Sequence, residues 1–190
     1  PEGLVTSVRV LAVRASHPYA KPGQEVDFDL LAYDGRAKKP RPMRLFWLPT
    51  PCVNPEDGVM TGCYPRFAGT FPKGVDLTDA LASGASFSAK VPADALAPQG
   101  GEPRLYGTMF VFQMACAGHV RYIGNDTAPS PESVPFGCFD EAGQKLGPED
   151  FMFSYATVFV VPIGTNANPT IEGLTFDGDP IDEAGITVAP

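Results

Sequence analysis

Histidine is nearly missing from this chain: there are two in 190 residues, His17 and His119. That scarcity leaves little material for histidine-based acid–base or nucleophilic catalysis. Also missing are G-x-S-x-G, H-E-x-x-H and any phosphate-cradling glycine loop. Positive charge is short as well. With 14 Lys and Arg against 22 Asp and Glu, the formal net charge is −8. That balance argues against a basic face for nucleic acid and against an anionic membrane surface. No stretch approaches the ~20 continuous apolar residues that a membrane helix requires. The longest candidate, residues 151–163, is strand-like and too short. The cysteines lack the C-x-x-C spacing of a zinc site. Together these absences predict a protein that is not an enzyme and holds no cofactor or metal. They also predict no nucleic-acid partner and no direct transmembrane segment.

What is abundant is turn chemistry. The 21 prolines and 20 glycines are spread between apolar runs rather than clustered, the pattern of an all-β chain with many turns. The turn Pro22-Gly23 launches a strand reaching Asp34. Val26, Phe28, Leu30 and Ala32 share one of its faces, and Asp27, Asp29, Leu31 and Tyr33 the other. The only tryptophan, Trp47, comes on the next strand beside Leu45 and Met43. A first strand is read over residues 5–14, and another over Ala85 to Val91. Residues 49–66 read as a proline-rich loop, and residues 76–82 as a short helical turn capped by Asp76 or Thr78. Two later runs, residues 106–116 and 151–161, are apolar on both faces. Such strands sit centrally in a sheet covered on both sides. The cover is then either the long insertion between Cys116 and Asp150 or a partner.

The even cysteine count favours disulfides, and Cys52, Cys63, Cys116 and Cys138 allow three pairings. Sequential pairing closes loops of ~10 and ~20 residues at modest entropy cost. The other pairings stay open. Oxidised pairs imply an extracytoplasmic home, periplasm or cell surface. Pro1 in place of a starting methionine predicts processing or trimming, with any signal peptide or lipid-anchoring cysteine upstream. Residues 171–178 (IEGLTFDG) echo residues 8–15 (VRVLAVRA). The expected division is therefore a domain at 1–163 and a linker at 164–170. Residues 171–190 would begin a second similar domain or add an edge strand.

Two consecutive strands with a buried tryptophan on the second are how an immunoglobulin-like β-sandwich begins its core. Val8, Val10, Pro22-Gly23, Val26, Phe28, Ala32-Tyr33-Asp34, Trp47 and the closing residues 87–92 (FSAKVP) carry a resemblance. They resemble the immunoglobulin-like domains of bacterial cell-envelope proteins and surface lipoproteins. The resemblance implies an antiparallel sandwich, here with long disulfide-stapled loops. It also implies extracytoplasmic scaffolding, adhesion or assembly with a protein partner, with no catalytic residues to carry over. The chain departs from the pattern in two ways: the second strand has no cysteine for an inter-sheet bridge, and the last two strands are separated by a long insertion.

Candidate sites are few. Cys116 and His119 have the proximity of a blue-copper pair, but such a site wants a second histidine and often a methionine. Asp177, Asp179, Asp182 and Glu183 form an acidic patch interrupted by Pro180 and Ile181, without a calcium-loop pattern. Asn125-Asp126-Thr127 matches a glycosylation sequon. The better lead is aromatic. Tyr19, Tyr33, Phe46, Tyr64, Phe67, Phe71, Tyr122, Phe136 and Phe139 exceed what one core should hold. Those in loops either cover the sheets or grip a partner. The expected function is a non-catalytic interaction or assembly module. The alternative is a carbohydrate-binding module that presents loop aromatics such as Tyr64 and Tyr122 to a polysaccharide. A copper-binding or enzymatic sandwich comes last.

Overall fold

Alternation in the first ninety residues and doubly apolar runs later on produce two different sheets. The computed structural model of the protein describes residues 5–55, 58–98, 104–124, 134–162, 174–176 and 179–181. Its strands are β1 (Val8–Ala15), β2 (Tyr19–Ala20), β3 (Glu25–Asp34), β4 (Arg44–Trp47), β5 (Cys52–Val53), β6 (Ala82–Ser83) and β7 (Ser86–Lys90). They continue with β8 (Gly107–Cys116), β9 (His119–Tyr122), β10 (Phe136–Phe139), β11 (Phe151–Val160), β12 (Leu174–Phe176) and β13 (Asp179–Ile181). The chain is all-β, with one short helix, α1 (Tyr64–Ala68), among the described residues.

The first sheet is antiparallel, in the order β1-β3-β7. Its register slips between Val10 and Ala12, a bulge that leaves Leu11 without a ladder partner. The second sheet runs β2-β11-β8-β4-β6, with β5 also pairing β8. β2 joins β11 in parallel and the other pairs are antiparallel. The two sheets enclose one core. Val26, Phe28 and Leu30 of β3 and Ala89 of β7 meet Trp47, Met109, Val111, Val158 and Val160 of the second sheet. Trp47 is fully buried, stacks on Phe87 with centroids 5.3 Å apart, and donates its indole N–H to Gly84 O at 2.9 Å. A buried indole keeps a partner for its N–H in this way.

A second core lies on the far side of the second sheet. Phe110, Phe112 and Met114 of β8 pack there with Tyr64, Phe67, Phe71, Leu77 and Leu81 from the loop after β5. Val120, Tyr122 and Phe136 of the β9–β10 hairpin complete it. Two disulfides anchor this cover, Cys52–Cys63 and Cys116–Cys138. The cover thus comes from both loops, and residues 49–72 contribute as much as the insertion after Cys116. The stretch read as an irregular loop contains a 3-10 turn at Met60–Cys63 leading into α1. Pro65 sits in the first helical turn, where its missing N–H costs nothing. At residues 76–81 a single turn forms. Asp76 accepts from Thr78 N–H, and Leu81 N–H donates to Leu77 O.

β8 occupies the central position its composition predicts. β11 does so only in part, because β2 reaches it at Phe159 and Val160 alone. At the C-terminal end β12 and β13 pair with each other as a two-stranded sheet. The expected linker at 164–170 lies outside the described residues.

Candidate functional site

The seam between the two sheets is set by one crossing. After β1 the chain turns through Ser16, His17 and Pro18, leaves the first sheet and joins the second as β2. β1 therefore flanks β11 without forming a ladder with it among the described residues. The seam is tied at both ends. Val8 N–H donates to Glu149 O at 2.8 Å and Val10 N–H contacts Met152 Sδ at 3.2 Å. At the other end Phe159 N–H donates to Pro18 O and Val161 N–H to Ala20 O, each at 2.9 Å.

Between these ties lies an open cleft of about 510 Å³, lined by Val10 to Ala15, Pro18, Gln113 and Ser154 to Thr157. Gln113 sits on the sheet-facing side of β8 in line with Met109 and Val111, and it is fully buried. Neither its Nε2 nor its Oε1 has a hydrogen-bond partner. Ser154, directly opposite in the β8–β11 ladder, carries a buried Oγ that is unpartnered too. Buried polar atoms are nearly always bonded, because desolvation without a partner costs ~1–3 kcal/mol. Leu11 and Tyr155, at the rims, are each about half exposed.

An ion-pair clamp locks the seam near its Val8–Glu149 end. Arg36, buried after β3, donates from Nη2 to Asp34 Oδ2 at 2.8 Å and from Nη1 to Asp150 Oδ1 at 2.6 Å. Its Nη2 also reaches Arg41 O. The guanidinium beside Asp34 holds that carboxyl below its usual range against the opposite pull of burial, and the pairing raises Arg36 in turn.

The first sheet's outer face is uncovered by any described residue, and it is divided. At one end Glu25, Asp27 and Asp29 face Lys90, Ser88 and Ser86, and Arg14 pairs with Asp29 at 2.5 Å. β7 stops opposite Asp29, so Leu31 and Tyr33 stand beyond its end, more than half exposed and next to Leu11. Asp27 and Asp29 are thus surface strand residues engaged with Ser88, Ser86 and Arg14.

Of the two readings of the aromatics, covering the sheets holds at most positions, and the alternative of a loop platform does not. Phe46, Tyr64, Phe67, Phe71, Tyr122 and Phe136 are buried and pack against one another. Burial raises the Tyr64 phenol above its ordinary range. Tyr19 and Tyr33 remain exposed. Cys116 is fully buried in its disulfide, which takes its thiolate away from any metal. His119 Nδ1 lies 2.7 Å from Asp76 Oδ2, at ion-pair distance but outside hydrogen-bond alignment. The Asp76 carboxyl feels burial pushing it up, yet the hydrogen bonds from Thr78 and the neighbouring His119 bring it below its usual value. His17 is exposed at the crossing beside Ser16. Among the described residues no group of three His, Cys, Asp or Glu could hold a metal. The sequon at Asn125 and the acidic residues Asp177, Asp182 and Glu183 lie outside the described residues.

Gln113 is the residue that pattern alone did not single out. Its signal was present, as the lone carboxamide inside an otherwise apolar run, GTMFVFQMAC. The two disulfides point to an oxidising, extracytoplasmic environment, and no described helix is long and apolar enough to cross a membrane. Compared with known proteins, the chain matches no family model, no curated protein and no solved structure.

Proposed function

We propose that this chain is a non-catalytic interaction or assembly module of a cell-envelope or cell-surface complex, built on an immunoglobulin-like sandwich. The observation that carries the reading is the apolar half of the bare face. Leu11, Leu31 and Tyr33 are exposed side by side where the third strand has ended, on a sheet face that no described residue covers. Exposed apolar groups beside an unpaired strand edge are features of protein contact surfaces. The strand orders β1-β3-β7 and β2-β11-β8-β4-β6, with Trp47 between them, support the immunoglobulin-like part of the proposal. The disulfides suit the periplasm or the cell surface, where an upstream lipid anchor would hold the module.

Photocrosslinking tests this directly. A photoreactive residue at position 31, in the intact protein within the cells that make it, should give one discrete protein adduct. The same residue at position 90, on the polar half of the face, should give none. Failure to form an adduct from position 31 sinks the reading.

A second reading, binding of a polysaccharide, moves from the loops to the edge of β11. There Tyr19 and Phe159 stack with centroids 5.4 Å apart and Tyr155 stands nearby, all three exposed. Retention on a polysaccharide matrix that disappears on Phe159→Ala would select it over protein contact.

A further inference from the structure

We propose that the seam cleft between β1 and β11 binds an extended peptide segment of a partner protein, through an amide that pairs with the Gln113 carboxamide. The inference rests on the interaction-module reading for the kind of occupant, and stands on residues separate from Leu31 and Tyr33.

Gln113 offers one unpaired donor and one unpaired acceptor from the same planar group. An Asn or Gln side chain, whose C=O and one N–H lie on the same side, is the group that satisfies both at once. Ser154 Oγ adds a hydroxyl that can donate or accept. The backbone of β11 is poised to contribute as well. Phe159 and Val161 turn their N–H groups away from β8 to reach Pro18 and Ala20. Strand alternation turns the N–H and C=O of Tyr155 and Thr157 to that same edge, where β1 supplies no ladder. A short strand lying there would gain main-chain bonds to Tyr155 and Thr157 and direct one side chain at Gln113. This is strand addition with a single specificity pocket.

Size and charge agree. The cleft's volume of about 510 Å³ falls within the ~300 to ~1,000 Å³ of ordinary ligand clefts. Its segment of β11, residues 154–157, spans roughly 13 Å at strand rise, which suits a few residues of occupant. Arg14 is the one charged residue among the described residues of the lining, and it is already engaged by Asp29. A neutral amide fits such walls better than an ion. The bulge at Leu11 disturbs β1 along the same stretch.

The test titrates the full chain, labelled with ¹⁵N, with two synthetic peptides. One is acetyl-Thr-Val-Asn-Val-Thr-amide and the other replaces the central Asn by Leu. The Asn peptide should saturably shift the Gln113 side-chain amide signals and the backbone amides of Tyr155 and Thr157. It should bind roughly tenfold or more tightly than the Leu peptide, since the latter leaves the buried carboxamide unpaired. Gln113→Leu should abolish that preference. Equal binding of the two peptides by the unaltered chain overturns the inference, and that comparison needs no variant to fold. Silence at Gln113 with both peptides, with cross-peaks from its amide to a long-lived water, also overturns it and makes the cleft a hydration site. If adducts still form from position 31 in that case, the interaction-module reading survives and only the peptide site falls.

Discussion

The two sheets turn opposite outer faces to their surroundings. On the second sheet, Phe110, Phe112 and Met114 are buried under α1 and the β9–β10 hairpin, held by two disulfides. On the first sheet, Leu31 and Tyr33 occupy the equivalent outward positions and remain open. Both sheets share the core around Trp47. The difference lies in the connections that leave each strand. β3 passes through a short basic turn into β4, whereas β5 and β8 each lead into a long excursion with a cysteine at its start. Connection length and cysteine position decide which face becomes a second core and which stays exposed.

If that contrast is right, the covered face should carry far more of the stability than the bare one. Phe112→Ala should produce the largest effect. The ring meets Phe67 edge-on at 5.2 Å and stacks on Phe153 at 5.4 Å, so its loss should cost about 3–5 kcal/mol in urea unfolding. A loss near zero would mean that the loops only rest on the sheet.

The clamp between the two sheets comes next. Arg36→Met strands two carboxylates, Asp34 and Asp150, that are mostly buried. It should cost about 3 kcal/mol at neutral pH. The same clamp predicts a pH dependence. Asp34 is more acidic in the folded chain than its unfolded value of ~3.9. Its contribution is complete above that value and is lost as pH falls through the depressed folded value. Unfolding midpoints should therefore decline below pH ~4, and Arg36→Met should flatten the decline. An unchanged acid profile in the variant would remove the clamp from the account.

The smallest effect belongs to the bare face. Leu31→Ser should change stability by no more than about 0.5 kcal/mol, because it removes a group already in water. The same variant should weaken any partner contact made there. A large loss of stability without effect on adduct formation would reverse the roles assigned to the two faces.

Much of this was legible in particular residues. Period-2 alternation from Val26 to Tyr33 gives β3 and the two faces it presents, and Trp47 marks the strand facing it. The doubly apolar run around Phe110 and Phe112 announced a strand covered on both sides. Tyr64 and Tyr122 left two readings open, because the sequence shows how many aromatics a loop has and not whether the loop lies down; both are buried. β11 read as central, yet most of its outer edge is open, since β2 meets it over two residues only. Gln113 carried a signal, a carboxamide among apolar neighbours, whose meaning depended on which side of β8 it faced and what stood opposite.

By itself the sequence determined the all-β class, the longer strands β1, β3, β4, β7, β8 and β11, the shortage of histidine and basic charge, and the supply of cysteines for stapled loops. These are local properties, fixed by side-chain period, turn chemistry and composition. Only the tertiary structure decided which outer face is covered, that β1 leaves its sheet at Pro18 to open the seam, and that Gln113 and Ser154 meet there without partners. Those outcomes depend on contacts between residues far apart in the chain, where packing and desolvation rather than local pattern set the result.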